Sequence, residues 1–384
     1  MKNQHTIVPA RRGPNAGFTL IELLISMGIM VAVLGSAAMA MSHALRLNES
    51  AVMVSGMNNT LRIGMDQMVR DMLQVGSGLP TGHVILTPSG AGSVQINIPG
   101  PPGTAFKNVV GDPDISAVVP GTGLGPVING VATDVITVLA ADNNFINVPL
   151  IALTNTAMTV AAIDPATGLA INIATGPDRV VVGQLLMLEK GATTTLVEVT
   201  AVDTVGRQIT FASGDSLKLN QPTAAAGNVA ALRATAPPDV LPLLPATQVL
   251  PTSATRIRMI SYYLDTVEPA RPRLVRRINN GDPLTFDNTL GTAVAMDIEN
   301  LQFTFDVADG GTNPGYVRFT AADLAGTGAC APVACSVNQI RKINILLTGR
   351  SRPTVQLQGR MFHNSLNSQV SLRGMAFVDE YLAP

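Results

Sequence analysis

One carboxylate stands where packing alone does not account for it. Glu22 lies near the start of an apolar run from Leu20 to Met41 that holds no other charged residue. A carboxylate carried into a membrane by a helix costs on the order of 2.5–3.5 kcal/mol, so such a residue is a functional site by default. Its cheapest partner is a positive charge. The run matches the ~20 residues that cross a ~30 Å hydrocarbon core as helix. Lys2, Arg11 and Arg12 precede it with no acidic residue among them. That bias holds the amino-terminal end in the cytoplasm and sends the body of the chain outside. A secretory signal would be cut after its apolar core, and Ala37-Ala38-Met39-Ala40 offers small residues there. An ordinary signal core has no use for a charge, so the helix reads as retained.

Other residues capable of chemistry are few. Cys330 and Cys335 are the two cysteines, and outside the cytoplasm they are expected to close a small disulfide loop. Loop entropy gives so short a closure roughly 2 kcal/mol at most. A metal site there would need more ligands, and none of His5, His43, His83 and His363 is close in sequence. Two loops offer oxygen ligands of the kind calcium takes. One holds Asp142, Asn143, Asn144 and Asn147; the other holds Asp306, Asp309 and Asn313 around Gly310-Gly311. Neither has EF-hand spacing, and hairpin turns demand the same residues, so no cofactor is expected and calcium stays as an alternative. Arg271, Arg273, Arg276 and Arg277 form the densest basic cluster, read as a solvated strand face or a contact for an acidic neighbour. No G-x-S-x-G elbow, P-loop or H-E-x-x-H occurs, and Gly121, Gly123 and Gly125 read as loop. The chain is not expected to be an enzyme.

The elements that must carry these residues follow from composition and period. The chain has 384 residues, 46% hydrophobic and 13% charged, with 35 Gly, 26 Pro and no Trp. That balance describes a loop-rich β protein rather than a disordered one. A formal net charge of −1 gives no reason to expect nucleic acid as partner. Apolar residues at Leu61, Met65, Met68, Val69, Met72 and Leu73 mark one helical face. Asp66, Arg70 and Asp71 are expected on the other side, and Gly76-Ser77-Gly78 with Pro80 supplies the stop. One long helix is therefore expected from Phe18 to Val75, weakened at Gly28, Gly35, Gly56 and Gly64. Strands are expected at Val94–Ile98, Val135–Leu139, Val180–Leu188, Leu196–Val202 and Gln208–Phe211. Clearer ones follow at Arg256–Leu264, Arg273–Arg277, Leu301–Phe305 and Ile340–Leu347. The predicted fold class is α+β, a long amino-terminal helix packed on an antiparallel sheet with a large β-rich carboxy-terminal domain.

Gly17-Phe18-Thr19-Leu20-Ile21-Glu22 followed by an apolar helix resembles the class III signal of type IV pilins and type II secretion pseudopilins. The resemblance implies that a prepilin peptidase cuts between Gly17 and Phe18 on the cytoplasmic side. It also implies that the new Phe18 amine is methylated and that Glu22 pairs with the amino terminus of a neighbouring subunit. Gly17, lacking a Cβ, lets the peptidase approach the backbone. Ile260–Leu264, Leu274–Arg277, Ile298–Phe303, Ile343–Ser351 and Val370–Arg373 resemble PilW-type minor pilins. The J-type pseudopilins of type II secretion share parts of this pattern. Gly374 stands where an Asn is frequent in these proteins. Some pseudopilins bind calcium.

The expected organisation is a leader at 1–17, a pilin-type helix at 18–75 with its membrane part at 18–42, and a β-rich periplasmic or extracellular domain at 76–384. Residues 99–251 match no named pattern and are a candidate insertion. The expected function is that of a minor pilin, incorporated into or priming a type IV filament. The alternatives are a type II secretion pseudopilin and a filament-tip adhesin. Expected partners are other pilins through the helix, the prepilin peptidase and methyltransferase, and the inner membrane, crossed once before the chain reaches the filament.

Overall fold

The computed structural model describes residues 17–80, 85–101, 114–235, 251–279, 291–307, 317–324, 326–331, 335–352 and 361–377. They fall into two compact units, 17–54 and the described residues from Ser55 onward. Helix α1 runs Leu20–Met72. In the first unit every side chain from Gly17 to Asn48 is exposed. Its most apolar window has a mean hydropathy of 2.2 with none of it buried, long and apolar enough to cross a membrane.

In the second unit α1 becomes one-sided. Met57, Leu61, Gly64, Met65, Met68 and Met72 are buried while Asp66 and Arg70 are exposed, the three-and-four period expected of a helix lying on a core. Two expected positions differ. Leu73 is 56% exposed, and Asp71, expected toward solvent, is 5% exposed. The helix stops at Met72 rather than Val75, and the chain turns at Gly76 with φ of 75°. A Cβ at Gly76 would lie 2.9 Å from the Gly374 backbone, so that turn needs glycine for space as well as for dihedral. Gly64 is a point of close approach rather than a weakness, since a Cβ there would lie 3.0 Å from Ala295 Cβ.

The strands open with β1 (Ile85–Leu86), β2 (Asp114–Ile115), β3 (Val118–Gly121) and the hairpin β4 (Val127–Ile128) and β5 (Val131–Ala132). Next come β6 (Val135–Ala141), β7 (Val148–Leu153), β8 (Ala157–Val160) and β9 (Leu185–Lys190). After these follow β10 (Thr193–Glu198), β11 (Ala201–Asp203), β12 (Gln208–Thr210) and the short helix α2 (Val229–Ala234). The last third supplies β13 (Ser253–Asp265), β14 (Arg273–Ile278), β15 (Thr292–Met296) and β16 (Ile298–Val307). Then come β17 (Ile340–Arg350) and β18 (His363–Ser371), followed by a 3-10 turn at Arg373–Phe377. The protein is α+β with a β-rich body, as its sequence predicts.

β13 organises the larger sheet. Its first half pairs with β7 and β9, its centre with β6 and its second half with β14, all antiparallel. β14 pairs β15, which leads into β16 through Asp297 at φ of 61°. β16, β17 and β18 form an antiparallel three-stranded sheet. In β16 and β17 buried and half-buried residues alternate, which is the signature of a sheet with one covered face.

The first four residues of β9, Leu185 to Leu188, are all apolar because the strand separates two cores. Leu185 and Met187 join the cluster that contains the buried face of α1, while Leu186 and Leu188 join a second cluster around Phe145 and Phe211. The stretch expected as an insertion thus contributes β6 and β9, both hydrogen-bonded to β13. Val94–Ile98 is not a strand of any sheet. It lies extended with Ile96 and Ile98 buried and donates from Asn97 N to Leu217 O at 2.9 Å, so its alternation is satisfied against a loop. The strand expected at Leu196–Val202 divides into β10 and β11 where Val199 N bonds Gln184 O instead.

Candidate functional site

The amino-terminal end of α1 is capped by two residues. Thr19 precedes the first turn, and Glu22 occupies its third position. Thr19 N donates to Glu22 Oε2 at 3.0 Å, Thr19 Oγ1 donates to the same oxygen at 2.9 Å, and Glu22 N donates to Thr19 Oγ1 at 3.3 Å. This reciprocal pair is a capping box, and it places a carboxylate at the positive end of the helix dipole. The sequence reading chose Glu22 and passed over Thr19; the Thr-x-x-Glu spacing was the available signal.

Glu22 Oε1 takes no hydrogen bond from a described residue, which leaves one edge of the carboxylate for a cation. Phe18 is 88% exposed, and an added Cβ on Gly17 would meet no described atom within 4 Å. The Gly17–Phe18 peptide is therefore sterically open on its described side. Residues 1–16 of the expected leader lie outside the described residues.

The remaining candidates are engaged elsewhere. Asp142 Oδ2 accepts from Arg256 Nε at 3.0 Å and pairs with Arg258 Nη2 at 2.9 Å. Burial opposes its ionisation, but the Arg258 hydrogen bond and the Arg256 charge outweigh that and hold its carboxyl below the usual range. Asn144 N caps Asp142 Oδ1 at 3.2 Å, a local turn of the type Asp favours. A calcium ion here would compete with two guanidinium groups. Asp306 pairs with Lys342 Nζ at 3.5 Å and accepts from Asn344 Nδ2 at 2.9 Å. Asp309, Asn313, His5 and His83 lie outside the described residues, among which no group of three or more His, Cys, Asp or Glu could hold a metal.

Cys330 and Cys335 are bonded to each other and buried. The arginine cluster does not form one patch. Arg271 faces Asp297 at 3.8 Å, Arg273 meets Asp265 at 2.6 Å and Arg276 meets Asp71 at 2.5 Å. Arg277 Nη1 reaches the Gly100 carbonyl at 3.5 Å.

The family model described as the prokaryotic N-terminal methylation motif matches residues 12–38. Neither the curated proteins nor the solved structures gave a match. The matched segment spans the open Gly17–Phe18 peptide, the capping box and all but the last three residues of the apolar run. It supports membrane anchoring by that run and interaction with other pilins and a prepilin peptidase, and it points to a structural protein rather than an enzyme. The motif supports, for the amino terminus of the chain, a type IV pilin- or pseudopilin-like reading.

Proposed function

We propose that this chain is a minor pilin of a type IV pilus system, of the PilW type. A prepilin peptidase removes residues 1–17, the Phe18 amine is methylated, and Glu22 accepts that charged amine from a neighbouring subunit as helices pack into the filament. Gly17 admits the peptidase. The observation that carries the reading is the lone Glu22 carboxylate, with one edge open, four residues after an exposed Phe18 inside the matched motif. A carboxylate in an apolar helical bundle is stabilised only by a partner charge, and leader removal supplies one. Cys330 and Cys335 stiffen the exported domain. The alternative of a type II secretion pseudopilin uses the same residues, and the filament system that takes up the chain separates the two.

The test is the amino-terminal sequence and mass of the membrane-extracted protein made with a prepilin peptidase, for wild type and Glu22→Ala. Both should begin at N-methylated Phe18, and only wild type should enter filaments. An intact Met1, a start near Met41, or normal incorporation of Glu22→Ala would overturn the proposal.

A further inference from the structure

β16, β17 and β18 form a sheet separate from the larger one, and β18 is one of its edges, while β3, paired only with β6 among the described residues, is an edge of the larger sheet. β3 is four residues long and contains Pro120 and Gly121. A short edge with proline is one way in which sheets prevent further pairing. β18 is nine residues long and contains no Lys, Arg, Asp, Glu, Pro or Gly. It pairs with β17 in unbroken register from His363 opposite Arg350 to Ser371 opposite Lys342. On its other side no strand pairs with it among the described residues. Such an edge carries no charge, proline or bulge for protection. Ser365 N donates to Asn364 Oδ1 at 2.9 Å, and outward N–H and C=O groups without such a partner are satisfied by water or by another extended chain.

Direction decides whose chain that is. Asn364 Nδ2 donates to Asn58 Oδ1 at 2.6 Å, and the Gly374 backbone just beyond β18 lies against Gly76. β18 therefore runs in the same sense as residues 58–72 of α1. Antiparallel pairing of β18 with the β18 of a second copy would set these two helical segments in opposite senses. A filament of pilin-like subunits packs them in one sense, a step that rests on the function proposed above. A different polypeptide is free of that constraint.

Side chains set the chemistry of the visitor. Leu366 and Val370 lie on the side that packs on the core. Ser365 bonds Thr348 at 2.9 Å and Gln369 bonds Asn344 at 2.8 Å on the other side. We propose that the outer edge of β18 is a docking surface for an uncharged, extended segment of a different protein. That segment adds antiparallel to β18, with apolar residues continuing the Leu366–Val370 side and Ser, Thr, Asn or Gln continuing the other.

A free peptide of residues 363–371 is a suitable probe, because it is uncharged apart from its histidine and has no helix to orient it. Antiparallel pairing centred on Asn367 puts residue 367 of the peptide opposite residue 367 of the protein. Fluorescently labelled peptide is titrated into the full chain in detergent micelles and followed by anisotropy. Saturable binding is expected below about 1 mM. It should weaken about tenfold when protein and peptide both carry Asn367→Lys, and recover when the Asn367→Lys protein meets an Asn367→Asp peptide. Asn367 is exposed, so these changes leave the fold intact. Absence of saturable binding, or binding indifferent to the charge combination, would overturn the inference. A failed filament reading shows in the Glu22→Ala experiment and leaves this titration unchanged.

Discussion

The carboxylate of Asp71, on the last turn of α1, accepts a hydrogen bond from the hydroxyl of Tyr262 at 2.5 Å. Arg276, next door on β14, completes the site, with Nε 2.5 Å from Oδ2 and Nη2 3.1 Å from Oδ1. Burial pushes the Tyr262 hydroxyl far up and the Asp71 charge adds to it. Burial also pulls Arg276 down, but the Asp71 hydrogen bond and charge outweigh it, so the guanidinium stays firmly charged. The apolar face of α1 can slide on a sheet; this polar knot fixes where it stops.

Asp71→Ala should therefore cost about 3 kcal/mol, because it leaves a largely buried guanidinium and a buried hydroxyl without their acceptor. Tyr262→Phe removes one hydrogen bond and should cost about 1 kcal/mol. Denaturant unfolding of the full chain in detergent, followed by circular dichroism, orders the two. Equal losses, or none from Asp71→Ala, would mean that the knot does not hold the helix.

Two glycines of the same helix should respond with opposite signs. At Gly56 an added Cβ meets nothing within 4 Å, so Gly56→Ala should stabilise by up to about 1 kcal/mol through helix propensity. At Gly64 the Cβ would crowd Ala295 at 3.0 Å and Leu274 at 3.1 Å. Gly64→Ala should lose about 1–3 kcal/mol to overpacking, against the same propensity gain. Melting temperatures of the two variants against wild type decide it, and a rise for Gly64→Ala would contradict the close packing.

Stability should depend on pH through two carboxyls of opposite character. Glu198 is buried on β10 and accepts from Ser216 Oγ at 2.8 Å and Leu217 N at 3.0 Å. Burial, partly offset by these bonds, and the neighbouring Asp215 raise its pKa. A raised carboxyl favours folding while it is protonated, so its contribution is present below the ordinary Glu range and lost as pH rises through the folded value. Asp142 has a lowered pKa; its contribution is present above the ordinary Asp range and lost as pH falls through the folded value. Relative to wild type, Glu198→Gln should gain as pH rises, and Asp142→Asn should lose most near neutrality. Unfolding midpoints between about pH 3 and about pH 8 measure both trends. A Glu198→Gln difference that is flat with pH would refute the first.

Much of this was legible along the chain because it rests on local pattern. The capping box needs only Thr19 and Glu22, three positions apart, and its spacing was there to be read although only Glu22 was. In the last third β13, β14, β16 and β17 are legible in large part while β15 and most of β18 are not. For β16 and β17 the reason is that a sheet covered on one face writes a period of two into its sequence. β9 carries no such period, since Leu185 and Met187 face one core and Leu186 and Leu188 the other. Its apolar run identified a strand without saying what it separates.

By itself the sequence determined a membrane-length helix with one carboxylate at its head, an α+β body, and two cysteines available only to each other. These follow from composition, periodicity and short spacing. Tertiary structure alone decided that Asp71 turns inward, that the four neighbouring arginines have four different destinations, and that β18 lies at the edge of its sheet among the described residues. Each depends on residues far apart in the chain: Asp71 meets Tyr262 across a separation of 191 and Arg276 across 205. Local propensity cannot register such pairings, because burial against a distant strand outweighs the small preference of a charged residue for the solvent side of its own helix.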